Sequence, residues 1–275
     1  MSIVKNKKSN NKPTIISDKH TVFAFFAGAG GLHLGMEEAG FKVLLASDIE
    51  KAAELTHKKN WPDIPFLCKD IQKVTAEELI KMAGGKKPDV MVGGPPCQGF
   101  STMGDKLSSD PRNQLFEAYA RLVADLEPKC VVIENVKAIT TMYDGKFKDH
   151  IIEIFAKSGY RMHLKVLNAA DYGVPQIRQR AIFIGTKIDS PFKFPEPTHG
   201  PGTKIKYATV GDAIMDLAKK TADQVRNHTP LAHSDIVVRR YKLIPEGGRL
   251  PKPEDLPMDI RRKNFGNTYK RLHRK

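Results

Sequence analysis

Apolar residues follow two alternating patterns up to about residue 186. Short apolar runs that end in glycine or a polar residue predict buried strands at 22–26, 43–46, 89–92, 131–133, 161–167 and 180–186. Apolar residues spaced three and four apart predict helices at 32–39, 50–59, 75–83, 113–126 and 147–157. Because strands alternate with helices, we expect an α/β fold with a doubly wound, mostly parallel, Rossmann-like sheet, in which the last two strands pair antiparallel.

The regular pattern ends near residue 187, where prolines begin to interrupt every run. We therefore divide the chain into a basic, disordered lead-in at 1–20, an α/β domain at 21–186 and a small, irregular, basic module at 187–275.

Composition narrows the class of protein. Hydrophobic residues make up 40% of the chain and charged residues 28%, which is typical of a globular protein. No apolar run approaches the roughly 18 residues of a membrane span, and the N-terminus lacks the apolar stretch of a signal peptide. The three cysteines, Cys68, Cys97 and Cys130, form neither a disulfide framework nor a metal-binding pattern. We therefore expect a cytoplasmic protein with no metal and no membrane partner.

The net charge of +14 is unevenly distributed. Residues 21–186 hold 21 Lys and Arg against 20 Asp and Glu, whereas residues 187–275 hold 19 against 10. A basic region of this kind is typical of proteins that bind polyanions, although it can also serve solubility alone. Charge by itself does not distinguish DNA from RNA.

The first glycine-rich turn, FAGAGG at 26–31, follows a predicted strand and opens a helix. Glycines let the backbone approach a ligand, and Asp48 ends the next strand, where a carboxylate can accept hydrogen bonds from ribose hydroxyls. The dinucleotide spacing GxGxxG fails because His33 stands at its third glycine position. This pattern favours S-adenosylmethionine over NAD or FAD; the alternative is a tight turn without a ligand. Asp70 is expected on the same sheet edge, with a solvated loop carboxylate as the alternative.

A second motif, GGPPCQGFS at 93–101, follows the predicted strand 89–92. Ligands of open α/β sheets bind at the carboxyl ends of the strands, where this loop lies. We expect Cys68 and Cys130 to be buried small hydrophobes, whereas Cys97 lies in a polar, Gly/Pro-rich loop and is a candidate nucleophile. The polar residues 98–112 are expected to form a mobile lid.

These motifs, together with ENV at 134–136 and QIRQR at 176–180, resemble the bacterial C5-cytosine DNA methyltransferases. The resemblance implies the S-adenosylmethionine-dependent methyltransferase fold, with S-adenosylmethionine as methyl donor and S-adenosylhomocysteine as product. It also implies double-stranded DNA as substrate, an association with restriction–modification systems and a nucleoid location through DNA. In that family the target cytosine is flipped out of the helix. The module at 187–275 is then expected to read sequence in the major groove and to contact phosphates.

The resemblance also assigns roles at the reaction centre. Cys97 matches the nucleophile that adds to C6 of cytosine, and Glu134 matches an acid that assists at N3. Arg180 matches an arginine that faces the target nucleotide, whereas Arg178 is left between phosphate or sugar binding and a structural carboxylate. Loop and support roles fall to Gln98, Ser101, Asn135 and Gln176. On an extended strand, Gln176, Arg178 and Arg180 would share one face.

The cofactor residues follow from the same resemblance. The methionine part of the cofactor is expected to be surrounded by Phe26, Gly28, Gly30 and Leu32. The ribose is assigned to Asp48, the adenine face to Ile49 and the adenine edge to Asp70. The predicted set is completed by Ile71, Pro96 and Leu115.

The sequence departs from the family at two places. Ala24 stands where the family usually has Asp, and after TYKRLH at 268–273 the family's final motif is missing. We therefore expect the chain alone to be a poor enzyme, either as part of a longer one or as a subunit of a split methyltransferase that needs a second polypeptide; otherwise we expect a monomer. An RNA (tRNA) cytosine-5 methyltransferase and a non-catalytic DNA-binding subunit are the alternative functions, and an NAD-dependent oxidoreductase is a poor fourth.

Overall fold

A computed structural model of the chain describes residues 19–96, 113–225, 228–229 and 231–261. The chain divides into two compact units. The first runs to Leu167 and includes Gln179–Phe194, and the second comprises Asn168–Arg178 and the chain from Pro195. The division thus falls at Phe194, beyond the end of the regular sequence pattern, and the short excursion Asn168–Arg178 belongs to the second unit.

A seven-stranded sheet forms the centre of the first unit, in the order β3-β2-β1-β4-β5-β7-β6. The strands are β1 Thr21–Phe25, β2 Lys42–Asp48, β3 Phe66–Cys68, β4 Val90–Gly93, β5 Cys130–Val136, β6 Arg161–Asn168 and β7 Gln179–Thr186. Strands β1 to β5 pair in parallel, and β7 is antiparallel to β5. The predicted doubly wound, mostly parallel sheet is therefore confirmed, and β6 and β7 are neighbours in it.

Helices connect the parallel strands of the first unit. They are α1 Gly31–Glu38, α2 Lys51–Asn60, α3 Ala76–Met82, α4 Asn113–Leu126 and α5 Lys146–Lys157. The hydroxyl of Thr75 accepts the backbone N–H of Glu78 at 3.3 Å and caps the start of α3. In the second unit, the described residues form the short helices α6 Val210–Ile214 and α7 Asp235–Lys242, with 3-10 turns between irregular segments.

The two faces of the sheet bury two separate apolar clusters. Successive residues of a strand point to opposite faces, so Phe23 and Phe25 of β1 join one cluster with α4, while Val22 and Ala24 join the other. Ala24 is fully buried.

The pairing register of the central strands places their carboxyl ends at one edge of the sheet. Phe25 pairs with Ser47 of β2 on one side and with Gly93 of β4 on the other. Gly93 in turn pairs with Ile133, so that Glu134 lies one residue further along β5. The loops that carry the sequence motifs therefore leave the sheet from a common edge.

Candidate active site

A cavity of about 400 Å³ opens at this edge of the first unit. Seven of the residues predicted to bind the cofactor line it: Phe26, Asp48, Ile49, Asp70, Ile71, Pro96 and Leu115. The sequence interpretation missed five further lining residues, which are Phe25, Ser47, Glu50, Lys69 and Gly94. Each of these is adjacent in sequence to a predicted residue or to Gly93, the first residue of the GGPPCQGFS motif. Position next to a strand end was therefore the sequence signal that could have identified them.

The other three predicted residues lie outside the lining. Gly28 and Gly30 form the turn beside the cavity, and Leu32 packs partly buried against the apolar cluster on one face of the sheet. The backbone N–H of Gly28 donates to Oδ2 of Asp48 at 2.8 Å, which ties the turn to a side chain that does line the cavity.

The turn itself has an uncommon backbone. Phe26, Gly28 and Gly30 have φ values of 51°, 52° and 96°. Glycine adopts this left-handed region readily, but Phe26 does so at a conformational cost that its surroundings must offset. Ala27 donates its N–H to the carbonyl of Ser47 at 3.0 Å, and Gly30 donates to Ala27 at 2.9 Å.

Two carboxylates of the cavity are held by backbone N–H groups. Besides the bond from Gly28, Asp48 accepts the N–H of Glu50 on Oδ1 at 3.0 Å. Asp70 accepts the N–H of Gln72 at 3.0 Å and so caps the short 3-10 turn Ile71–Lys73. Each carboxylate oxygen can accept more than one hydrogen bond, so both groups can also accept from a ligand's hydroxyl or amino group.

Glu134 and Arg180 form an ion pair across β5 and β7. Arg180 donates from Nε to Oε1 of Glu134 at 2.7 Å, and both side chains are half-buried. The other carboxylate oxygen of Glu134 faces Gly94, where an added Cβ would lie 3.4 Å from it. Since Gly94 also lines the cavity, it joins the ion pair to the predicted cofactor site.

Asn135 fixes the start of the cysteine loop. Its side chain is buried and donates from Nδ2 to the carbonyl of Pro95 at 2.9 Å, while its Oδ1 accepts the N–H of Val136 at 2.8 Å. Pro95 lies two positions before Cys97 in the sequence, so this bond anchors the backbone that leads into the loop. Cys97, Gln98 and Ser101, and the predicted lid at 98–112, lie outside the described residues.

The prediction that Gln176, Arg178 and Arg180 share one strand face is wrong, because β7 begins only at Gln179. Gln176 donates its N–H to the carbonyl of Val174 at 2.7 Å, a tight turn around Pro175 that breaks the extended backbone. Arg178 instead donates its N–H to the side chain of Asn168 at 3.1 Å. Both residues are exposed and belong to the second unit.

The two other cysteines are half-buried and pack against the apolar cluster that contains Val22 and Ala24. Burial raises the pKa of the Cys130 thiol to about 11, so this side chain is protonated at neutral pH and is a poor nucleophile.

In the part of the chain that the structure describes, no helix is long and apolar enough to cross a membrane. Over the same residues, no group of three or more His, Cys, Asp or Glu side chains is placed to hold a metal ion.

Comparison with known proteins gives consistent matches. A type II methyltransferase of Haemophilus parahaemolyticus, M1.HphI, is 39% identical over 247 residues, which are 88% of this chain and 64% of that protein. M.XorII of Xanthomonas oryzae is 46% identical over 197 residues, 70% of this chain and 45% of the relative. The chain thus spans about half to two thirds of the length of these relatives.

A solved structure confirms the fold. The crystal structure of a prophage-encoded candidate DNA modification methyltransferase from E. coli superposes with a TM-score of 0.61 at 29% identity, over 82% of this chain and 65% of that one. The predicted methyltransferase fold is therefore confirmed. The family model for C-5 cytosine-specific DNA methylases matches residues 20–254. The chain belongs to the C-5 cytosine-specific DNA methylase family.

Proposed function

We propose that this chain carries the cofactor-binding and catalytic part of an enzyme that methylates C5 of cytosine in a specific duplex DNA sequence. The observation that carries the proposal is the position of Gly94, which lines the cavity and at which an added Cβ would lie 3.4 Å from the carboxylate of Glu134. A methyl donor in the cavity and a cytosine ring beside Glu134 would therefore be neighbours at one edge of the sheet.

The lining of the cavity fits S-adenosylmethionine. Asp48 and Asp70 offer carboxylate oxygens to ribose hydroxyls and to the adenine amino group, and the branched side chains of Ile49 and Ile71 offer apolar surface to the adenine ring. Its volume lies within the range of small-molecule sites. When bound, the cofactor supplies a methyl group on a positively charged sulfur, and S-adenosylhomocysteine is the product.

The chemistry needs a nucleophile because C5 of cytosine is itself a poor one. In the proposed mechanism the thiolate of Cys97 would form a bond to C6 and displace the electron pair of the C5–C6 double bond, which makes C5 enamine-like. C5 could then take the methyl group that the bound cofactor would supply. Loss of the C5 proton to a base and departure of the thiolate from C6 restore the aromatic ring. Glu134 would share a proton with N3 as the thiolate adds, and Arg180 would hold that carboxyl group in place.

A base inside duplex DNA is out of reach of such a site, so the target cytosine must be flipped out. We propose that the basic region 187–275 contacts phosphates and base edges around the flipped base, because its 19 Lys and Arg against 10 Asp and Glu match a polyanion.

The test is bisulfite sequencing of plasmid DNA from cells that express the chain together with a second polypeptide carrying the family's final motif, and no other cytosine methyltransferase. We expect protected cytosines in one sequence context, and none when Cys97→Ser is expressed at the same level, because a serine hydroxyl is far less ionised than a thiol at neutral pH. A covalent adduct with DNA that contains 5-fluorocytosine should also accumulate, since the fluorine cannot leave as a proton does. Methylation by Cys97→Ser at the parental rate would refute the mechanism.

A further inference from the structure

Four side chains form a closed group behind the glycine turn, which we call the ring cluster: His33, Glu37, His57 and Trp61. His33 and Glu37 lie on α1 and His57 lies on α2. Trp61 follows the end of α2, where its backbone N–H donates to the carbonyl of His57 at 2.8 Å. Both histidines are fully buried although neither takes part in the proposed chemistry. A fully buried pair of titratable rings is unusual enough to require a structural or functional reason.

Polar contacts run through the whole cluster. The indole N–H of Trp61 donates to Oε2 of Glu37 at 2.7 Å, and Oε1 of Glu37 lies 3.3 Å from Nε2 of His33. Nδ1 of His33 lies 2.9 Å from Nε2 of His57. If His33 carries its proton on the nitrogen that faces Glu37, its other nitrogen accepts from His57, and both rings are neutral. The rings of His33 and Trp61 also stack with centroids 4.1 Å apart.

The edge of the Trp61 ring lies directly against the glycine turn. A Cβ added at Gly30 would lie 2.6 Å from Cη2 of Trp61, closer than real Cβ contacts come. The indole therefore fills the space behind Gly30, and its own orientation is fixed by Glu37 and by the stacked ring of His33. Residue 30 must be glycine for this packing as well as for its φ of 96°.

A shift of Gly30 would reach the cavity through a short path. Gly30 donates a hydrogen bond to the carbonyl of Ala27, and Gly28 donates one to the carboxylate of Asp48. The strained Phe26, which precedes them directly after β1, lines the cavity. Strained backbone persists only where the surrounding packing holds it. The ring cluster supplies that packing on the side of the turn where Trp61 meets Gly30.

We propose that the ring cluster is a positioning element for the methyl-donor site: by holding Gly30, it fixes the turn and Asp48, and so sets the affinity of the cavity for S-adenosyl ligands. The inference rests on the proposed function, because the ligand is the proposed cofactor. It assigns no contact with the ligand to the cluster and no part in the methyl-transfer step.

The chain offers a direct probe, because Trp61 is its single tryptophan. We expect the fluorescence of Trp61 to change saturably when S-adenosylhomocysteine is titrated into the protein, with the same Kd that calorimetry gives. An emission that stays constant through a calorimetrically saturated titration would contradict the coupling between the cavity and the cluster.

Two variants test the positioning role by different changes. Glu37→Gln removes the charge that faces His33, and Trp61→Phe keeps a ring behind Gly30 but removes the indole N–H. Each should raise the calorimetric Kd for S-adenosylhomocysteine about three- to tenfold, the effect of one lost hydrogen bond. The KM for S-adenosylmethionine should rise in parallel, while kcat at saturating cofactor changes by less than about twofold, since only binding is altered. Glu38→Gln, the exposed neighbour on α1, is the matched control and should leave Kd unchanged.

The outcomes separate the inference from the proposed function. If the parent protein binds no S-adenosylhomocysteine, the proposed function fails. If the parent binds and both variants match Glu38→Gln in Kd, the positioning role is wrong while the proposed function stands. A fall in kcat without a change in Kd would also overturn it. Circular dichroism establishes folding of each variant, and Glu37→Gln, a near-isosteric change at a partly exposed side chain, still decides the matter if Trp61→Phe fails to fold.

Discussion

The guanidinium of Arg180 holds the carboxylate of Glu134 at 2.7 Å, although 46 positions separate the two residues in the sequence. They meet because β7 enters the sheet antiparallel to β5, which pairs Val136 with Arg180 and Ile182 with Glu134. An Nε–H donor restricts the rotation of the carboxyl group, and the plane of the guanidinium gives that contact a defined geometry. The antiparallel strand of the sheet thus contributes a side chain to the same edge as the parallel strands.

Replacing Arg180 tests whether this contact serves the reaction. Arg180→Lys keeps the charge but loses the planar donor group, and Arg180→Ala removes the Nε–H that donates to Glu134. We expect methyl transfer to fall in both, by about 10²-fold for Arg180→Ala if the contact positions an acid catalyst. Incorporation of tritiated methyl groups into DNA measures the rate. Arg161→Lys changes an exposed arginine that contacts the carbonyls of Ile188 and Ser190 and the carboxylate of Asp189; it is the control and should retain the parental rate.

The bond from Asn135 to Pro95 predicts a separate effect on the cysteine loop. Asn135→Ala removes the only side-chain donor described at the Pro95 carbonyl and should lower stability by about 1–3 kcal/mol, the cost of an unpaired buried polar group. Methyl transfer should fall further than stability explains, because the backbone before Cys97 is released. Chemical denaturation and single-turnover kinetics on the same preparation measure the two effects. A rate equal to the parental one in a folded Asn135→Ala protein would leave the loop anchored by other means.

Asp48 connects the glycine turn to the predicted ribose site. Asp48→Ala removes both the acceptor of the Gly28 N–H and the acceptor proposed for the ribose, and should weaken binding of S-adenosylhomocysteine by about 1–3 kcal/mol. Asp48→Asn retains an acceptor oxygen and should lose less. Calorimetry measures both, with the exposed Asp63→Asn, between α2 and β3, as a charge-matched control. Equal affinity in Asp48→Ala and the parent would place the ligand elsewhere.

The secondary-structure elements that depend on a local sequence pattern could be predicted. The central strands and the helices between them follow from periodicity and from single residues that punctuate it. Most of the predicted cofactor residues line one cavity because parallel strands end at the same edge of a sheet, which is a property of the fold rather than of any one segment.

Features that depend on contacts between residues distant in the sequence could not be predicted. His33 was noticed only as a residue that breaks the dinucleotide glycine spacing, since nothing in the sequence pairs it with His57 or places Trp61 behind Gly30. The expectation that Gln176, Arg178 and Arg180 share one extended face failed for a similar reason. An alternating pattern indicates an extended face, but Pro175 and the bond from Arg178 to Asn168 set the backbone there.

The buried histidines predict a loss of stability in mild acid. Burial lowers the pKa of His57 from its ordinary value of 6.5 to about 4, with a further lowering by His33, and burial also lowers the pKa of His33 against the opposing effect of Glu37. The folded protein therefore holds these rings neutral, while the unfolded chain takes up their protons below pH 6.5. Their contribution to the free energy of unfolding is complete above pH 6.5 and declines as the pH falls towards 4.

The decline should be at most about 1.4 kcal/mol per pH unit for each proton that only the unfolded chain binds. Urea unfolding at a series of pH values between 7 and 4 measures it. In His57→Gln, the ring that titrates near pH 4 is gone, so the pH dependence over this interval should become shallower, even though the variant is less stable at pH 7. His233→Gln changes an exposed histidine and should keep the parental slope. If His57→Gln and the parent lose stability in parallel between pH 6.5 and 4, other groups govern the acid response, because a neutral glutamine has no proton to take up on unfolding.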